Sequence, residues 1–213
     1  MEKIIKMVWI PKKFIFKNQK LNDLFQDCIE NSTLEESIAA SCLYNLGMKN
    51  KNGTFFQIAS DFGHANAQEM MFTHYFKSNE EKAVNYLKRS AAQGCSSALL
   101  SLSSIYLGYS LTLEKNLEIA KLLCESAKDL KNVEAQFRCL VSRFTEGTFG
   151  SKKNFRRGIK NAINLKNEGN EYAINYFASL RKTSRETLLE MDITLKDLKF
   201  LKSMDLWNDE DEI

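Results

Sequence analysis

One short pattern recurs along this chain: a residue suited to ending a helix is followed, four positions later, by an alanine. The pairs are Gly63 and Ala67, Gly94 and Ala98, Lys131 and Ala135 (with lysine in place of glycine), and Gly169 and Ala173. Successive pairs lie 31, 37 and 38 residues apart. Because a period of about 35 to 40 residues is that of stacked helix pairs, the pattern predicts a fold of recurring two-helix units.

The residues between these anchors have helical periodicity. Ala67, Met70, Met71, His74 and Tyr75 follow the i, i+3, i+4, i+7, i+8 stripe of a core-facing first helix. The second helix is clearest in the segment AVNYLKRSAAQG, residues 83–94. Its small residues allow a neighbouring helix to approach closely, and its last glycine suits the left-handed position that ends a helix.

Composition agrees with a helical protein of a reducing compartment. The 213 residues contain one proline, Pro11, and long helices exclude proline because it lacks a backbone donor. The five cysteines form no CxxC pair and fall near apolar helical positions, so we expect small buried side chains. They are Cys28, Cys42, Cys95, Cys124 and Cys139. We expect no signal peptide, no membrane span and a cytoplasmic location, because the N-terminal apolar run breaks at residues 11–13.

Residues 83–98 resemble the second helix and junction of the Sel1-like repeat, a relative of the tetratricopeptide repeat. That family's unit reads roughly A-x-x-x-L-G-x-x-Y, a loop, and then A-x-x-W-Y-x-x-A-A-x-x-G-x-x-x-A. The resemblance covers residues 35–180 and implies an all-α, right-handed α-solenoid of antiparallel helix pairs. It also implies that the first helices form a concave face that binds another protein.

The chain departs from the family pattern in its first helices. The slot that holds glycine in the family is occupied here by Phe72, Ser103 and Leu140. The tyrosine slot holds Arg143 and Arg181 in the last two units. Bulkier residues at the glycine slot should widen the spacing between helices locally.

The flanks of the array are interpreted as caps, which a stack needs because its end units expose an apolar face. We divide the chain into an N-terminal segment and capping helix (1–34), the repeat array (35–180), C-terminal capping helices (181–207) and an acidic tail (208–213). Asn18 is expected to begin a helix, and Ser32–Glu35 and Thr183–Glu186 are candidate capping boxes.

The candidate partner-binding residues neighbour the first-helix stripe. They are Glu69, Phe72, Phe76, Ser101, Ser104, Arg138 and Ser142. Phe72 and Phe76 are the strongest candidates, because exposed aromatic side chains are typical anchors at protein interfaces. Packing of both rings against the short loop that follows them would explain them equally well.

The sequence contains no pattern that predicts catalysis, a cofactor or a metal site. Neither HExxH nor a phosphate-binding glycine loop is present. His64 is expected to make a hydrogen bond at its junction, and His74 to be a packed or half-exposed helix residue. We therefore expect a non-catalytic protein-binding module, either an immunity protein that neutralises a toxin or effector, or an adaptor in a bacterial assembly.

A basic segment, residues 152–160, allows an alternative function in nucleic-acid binding. Its candidate contacts are Lys152, Lys153, Arg156 and Arg157. The net charge of +3 is too small to favour this alternative by itself. Helical repeats that read RNA also need polar triplets repeated at fixed positions, and those positions vary here. We therefore expect a protein rather than a nucleic acid as the partner.

Overall fold

The computed structural model describes residues 15–24, 33–109, 113–150, 153–191 and 193–207, and within these ranges it contains helices and no strand. The α-helices are α1 (Gln19–Leu24), α2 (Leu34–Asn50), α3 (Gly53–Asp61), α4 (Ala65–Tyr75), α5 (Glu80–Ala92), α6 (Ser96–Tyr106), α7 (Leu117–Asp129), α8 (Val133–Phe137), α9 (Arg143–Thr145), α10 (Phe155–Asn167), α11 (Glu171–Leu180), α12 (Arg185–Glu190) and α13 (Leu195–Ser203). Each long helix packs against its neighbour in the chain. The predicted all-α fold of helix pairs is confirmed, and the right-handed sense of its superhelix stays a prediction.

All four predicted junctions end a helix in the left-handed backbone region. Their φ angles are 86° at Gly63, 77° at Gly94, 65° at Lys131 and 81° at Gly169. At Gly63 the two hydrogen bonds of a Schellman motif are present. The amide of Gly63 donates to the carbonyl of Ser60, and that of His64 donates to the carbonyl of Ala59, each at 3.0 Å. The same bond pattern recurs at the other three junctions.

The spacing of four residues follows from how the next helix begins. The residue after each junction directly precedes the next helix. The recurring spacing of four residues therefore places the alanine at the third helical position. At that position the amide needs a capping acceptor. The amide of Ala67 donates to Nδ1 of His64 at 3.3 Å, and that of Ala173 donates to Oδ1 of Asn170 at 3.1 Å. The four junction alanines are each 0 % exposed, so a larger side chain would not fit there.

Side-chain hydrogen bonds join successive junctions. Nε2 of Gln93 donates to the carbonyl of Gly63 at 3.0 Å, and Nδ2 of Asn132 donates to Oγ of Ser96 at 3.4 Å. Nδ2 of Asn170 donates to the carbonyl of Val133 at 3.0 Å. The junctions are therefore linked to the helix starts of the preceding repeat, as expected for stacked pairs.

The second helices that end before Gly94, Lys131 and Gly169 share a start that the sequence analysis did not identify, whereas α3, which ends before Gly63, has 9 residues and a different cap. Asn79, Asn116 and Asn154 are the N-caps of the three, and each side chain accepts a hydrogen bond from the amide three residues later. Each of these helices has 13 residues. Because these three second helices are equal in length, the unequal spacings between the four junctions arise in the first helices and the loops that follow them.

The chain forms two compact units, Met1–Asn132 and Val133–Ile213. In the first unit, α2 to α7 pack in succession, and α1 packs against α7. The side chain of Lys17 pairs with Asp129 at 3.0 Å, and that of Lys20 pairs with Glu118 at 2.5 Å. The N-terminal helix predicted as a cap thus contacts the last helix of this unit.

The second unit contains the most irregular first helix, in which a π-helical segment, Arg138–Ser142, joins α8 to α9. The side chain of Asn161 donates to the carbonyl of Leu140 at 2.5 Å, which gives this widened turn a partner on α10. Helix α10 approaches closely because it has Gly158 here, where a Cβ atom would clash with the side chain of Thr145. The core of the unit also includes buried residues of α12, α13 and the segment after it: Leu188, Leu198, Leu201, Leu206 and Trp207.

Several local predictions are corrected by the structure. The capping box is formed one residue later than expected, by Thr33 and Glu36, because the hydroxyl of Thr33 accepts from the third helical amide. The N-cap near the C-terminus is Ser184 rather than Thr183. Cys42 is exposed, contrary to expectation, because it lies on the side of α2 that faces away from α3.

Other local predictions hold. Cys124 and Cys139 are buried as expected, whereas Cys95 is only half-buried. Asn18 begins α1, and its side chain accepts from the amide of Lys20 at 2.9 Å. Pro11, Cys28, Ser32 and the acidic tail 208–213 lie outside the described residues. The division into caps, array and tail stays a prediction, and no helix among the described residues is long and apolar enough to cross a membrane.

The junction conformation predicts opposite effects of substitution at equivalent positions. Lys131→Gly should raise the free energy of unfolding by about 1 kcal/mol, because glycine adopts a positive φ without steric cost. Gly94→Val should lower it by more than about 1 kcal/mol, because a β-branched residue resists this conformation. Urea denaturation followed by circular dichroism measures both. Changes of the same sign in the two variants would contradict the role assigned to the junctions.

Candidate protein-binding surface

A polar cluster joins the starts of the first helices α4 and α6. Oε2 of Glu69 accepts from Oγ of Ser97 at 2.6 Å, and the Cys95 sulfur lies 3.6 Å from the same oxygen. The sulfur also lies 3.7 Å from Oδ1 of Asn66. The predicted contact residue Glu69 is therefore half-buried and already holds two first helices together.

His64 is linked to this cluster through Tyr44. It is 5 % exposed, its Nδ1 caps α4, and its ring stacks on Tyr44 with 4.5 Å between ring centroids. Burial lowers the pKa of His64 from its ordinary value of 6.5 to about 4. Burial also raises the pKa of Tyr44, and the nearby Glu69 carboxylate adds to this effect. The neutral imidazole is needed as a hydrogen-bond acceptor, so the predicted junction role of His64 is confirmed.

The predicted aromatic anchors pack on each other. Phe72 and Phe76 are both half-buried, and their ring centroids are 5.1 Å apart. Ser101 and Ser104 on α6 are half-buried as well, and the hydroxyl of Ser104 donates to the carbonyl of Leu100 at 3.3 Å. Part of each phenylalanine is therefore covered by the other ring and unavailable to a partner.

A cleft of about 680 Å³ opens between α3, the loop before it and α4. Its apolar floor is made by Phe56 and Met71, which are 9 % and 4 % exposed, together with Tyr75. Met70 is 40 % exposed on the wall. The polar members of the lining are Lys51, Thr54, Gln57, Thr73 and His74.

Side-chain hydrogen bonds stiffen one end of the cleft. The amide nitrogen of Gln57 donates to the Tyr86 hydroxyl at 2.8 Å, while the Tyr75 hydroxyl donates to Oε1 of Gln57 at 3.3 Å. The two tyrosine rings are stacked at a centroid distance of 6.0 Å. The Lys82 ammonium lies 3.9 Å from the centre of the Tyr75 ring. This end of the cleft is thus preorganised, and the Lys82 ammonium and the Asp61 carboxylate both lie near it.

The sequence analysis did not identify the cleft. Its residues come from a loop, from the start of α3 and from the second half of α4, and only the fold brings them together. The adjacent methionines Met70 and Met71 were a usable signal for an apolar surface. The helical period buries Met71 and leaves Met70 exposed.

The predicted residues of the second unit have structural partners. Arg138 pairs with Glu134 at 2.7 Å, and the Tyr172 hydroxyl donates to Glu134 at 3.1 Å. Ser142 is 7 % exposed, so we leave it out of the proposed surface.

The described basic side chains of residues 153–160 are exposed. Nε of Arg156 lies 3.3 Å from Oδ1 of Asp197, and its guanidinium donates to the carbonyl of Lys196 at 3.2 Å. Lys153 and Arg157 are exposed, and Lys152 lies outside the described residues.

The part of the chain that the structure describes contains no group of three or more histidine, cysteine, aspartate or glutamate residues able to hold a metal ion.

Comparison with solved structures finds one helical repeat protein to report. No protein-family model and no curated protein matches the chain. The chain is similar to the crystal structure of a Sel1 repeat protein from Oxalobacter formigenes, with 19 % sequence identity and a TM-score of 0.46. The match covers 57 % of this chain and 92 % of that one.

The lowered pKa of His64 predicts a pH-dependent stability. The unfolded chain binds a proton near pH 6.5 and the folded chain only near pH 4. The contribution of the neutral His64 side chain to the free energy of unfolding is thus fully present above pH 6.5. It is lost as the pH falls from 6.5 to about 4. Between pH 7.5 and 5.0 the wild type should lose roughly 2 kcal/mol more than His64→Asn. Asparagine retains a cap acceptor and does not titrate.

Urea denaturation of both proteins at the two pH values measures this difference. Equal losses in wild type and His64→Asn would show that the imidazole is not kept neutral by burial.

Proposed function

We propose that this chain is a non-catalytic, protein-binding helical repeat module whose first unit holds an anchor side chain of its partner in the cleft beside Met70. The observation that carries the proposal is the cleft itself, about 680 Å³ in volume with an apolar floor and a methionine wall. Clefts of this size suit an inserted side chain, and anchors in such pockets supply much of the binding energy at protein interfaces.

The lining of the cleft indicates the chemistry of the anchor. Methionine has a flexible, polarizable side chain, so Met70 adapts to partners of different shape. The floor, made by Phe56, Met71 and Tyr75, favours an aromatic or long aliphatic side chain. Lys51 on the rim and Lys82 beside Tyr75 favour acidic residues next to that anchor.

The predicted residues Glu69, Phe72, Phe76, Ser101 and Ser104 form a second proposed contact surface along α4 and α6. Glu69 would act mainly by positioning α4 against α6, since its carboxylate already accepts from Ser97. Arg138 remains a separate proposed contact in the second unit.

A negative charge placed against the apolar floor of the cleft should weaken partner binding. Met70→Glu should weaken the affinity at least about tenfold, because an unpaired carboxylate would be desolvated against Phe56 and Met71. The partner is first captured with the wild-type chain from the cells that encode it, then purified for calorimetric titration.

Ile174→Glu is the matched control, since Ile174 is a helical apolar residue of similar exposure, 44 %, in the other unit. Both variants are checked for native circular dichroism before titration. Unchanged affinity in a folded Met70→Glu variant, or an equal loss in Ile174→Glu, would refute binding at the cleft.

Two biological roles fit such a module, an immunity protein that neutralises a toxin or effector and an adaptor in a bacterial assembly. The immunity role predicts that an adjacent open reading frame encodes a toxin domain and that co-expression of this chain protects cells from it. The adaptor role predicts a captured partner that has at least one further binding protein. We propose the cytoplasm as the location for either role.

The alternative function is nucleic-acid binding through residues 152–160. The observation in its favour is that Lys153, Arg157 and Lys160 are all exposed near the start of α10. RNA binding that weakens steeply with salt, and that Arg157→Ala reduces while Met70→Glu does not, would support this alternative in place of the cleft.

A further inference from the structure

The outward face of α2 carries a pattern that is symmetric about Cys42. Glu35 and Lys49 lie seven residues before and after it, and Ile38 and Leu46 lie four residues before and after it. Offsets of four and seven residues fall on one face of a helix, so the five side chains form a single stripe. Ile38 is 40 % exposed and Leu46 is 44 % exposed, and the other three are exposed as well.

The opposite face of α2 supplies its contacts with the rest of the unit. Its buried residues are Ser37, Ala40, Ser41 and Gly47. Gly47 is a point of close approach, since a Cβ atom there would lie 2.8 Å from the Phe56 ring of α3. The orientation of α2 is therefore set by small residues on its inner face, and its apolar stripe is directed outward.

A helix whose stripe has this symmetry is complementary to itself in one orientation. If two copies cross antiparallel at Cys42, Ile38 of each faces Leu46 of the other, and Glu35 faces Lys49. The acidic start of each helix then meets the basic end of the other, which also opposes the helix dipoles favourably. A parallel arrangement would bring like charges together at both ends. Two-fold contacts of this kind are isologous, so one surface patch serves both partners.

We propose that a second copy of this chain binds this stripe, forming a two-fold homodimer through antiparallel α2 helices. A heterologous partner would need no internal symmetry in its site, whereas here acid, apolar and basic positions are mirrored about one residue. The interface is a single helix pair about 25 Å long, so the dimer should be weak, in the micromolar range. The proposal does not depend on the cleft beside Met70, whose lining includes none of the five stripe residues.

Charge reversal tests the orientation directly. Sedimentation velocity from about 1 to 300 µM should show the full-length wild type passing from monomer to dimer. Glu35→Lys and Lys49→Glu should each weaken dimerisation at least tenfold, because both ends of the two-fold interface then carry like charges. The double variant Glu35→Lys/Lys49→Glu should restore dimerisation to within about threefold of the wild type, because the pairs are re-formed with reversed sign.

Glu81→Lys is the matched control, since Glu81 occupies the same position in the first turn of α5 as Glu35 does in α2. It changes the net charge and the helix-dipole interaction equally, and it should leave dimerisation unchanged. The capping box of α2 uses Glu36, so Glu35→Lys leaves it intact.

A cross-linking measurement provides a second test that does not depend on folding of the charge variants. In a background with Cys28→Ser and Cys95→Ser, a short bismaleimide should join two chains through Cys42, and Cys42→Ser should abolish the product. The remaining cysteines, Cys124 and Cys139, are buried. A monomer at every concentration, failure of the double variant to recover dimerisation, or cross-linking that persists without Cys42 would each overturn the proposal.

Discussion

The fold depends on one local arrangement, in which a helix ends at a left-handed residue and the next residue already caps the following helix. At Gly63 the chain reverses within two residues, and His64 serves both as the end of the Schellman motif and as the next N-cap. Because one residue has both roles, the third position of the new helix lies close to the helix that has just ended. An alanine is required there because the space is fully enclosed, as the 0 % exposure of Ala67 illustrates.

The remaining geometry follows from repeating this arrangement. The second helices α5, α7 and α10 share an asparagine N-cap and a length of 13 residues, so these three repeats have second helices of the same length. Variation is accommodated in the first helices, where the π-helical segment Arg138–Ser142 is the largest departure. There Gly158 and the hydrogen bond from Asn161 compensate on the facing helix. Irregularity in one helix is thus matched by small or polar residues in its partner.

The junctions and the helix-pair fold could be predicted from the sequence because both depend on residues close together in the chain. Local conformational preference identifies Gly94, and even Lys131 was placed correctly by spacing alone. The exposure of Cys42 could not be predicted, because periodicity shows that a helix has an apolar stripe and not which side is covered. The recurring asparagine caps were detectable in principle, since their spacing equals that of the junctions.

The proposed surface was predicted only in part. Phe72 and Phe76 lie on the expected helix, but their mutual packing is a tertiary contact that spacing does not encode. The cleft beside Met70 depends on the path of the loop before α3, which turns at Lys51 with a φ of 51°. The two proposed interfaces, the cleft and the outer face of α2, follow from the same packing, because the small inner face of α2 directs its apolar stripe outward and places Phe56 in the cleft floor.

The central claim, that enclosed alanines after the junctions hold the helix pairs together, is tested most directly by comparing two substitutions on α11. Ala173→Val places two methyl groups in a site that is 0 % exposed, whereas Ala178→Val does so at an exposed position of the same helix. We expect Ala173→Val to lower the free energy of unfolding by about 1 to 3 kcal/mol through overpacking. Ala178→Val should cost only about 0.5 kcal/mol through reduced helix propensity. Equal losses in urea denaturation would contradict the claim.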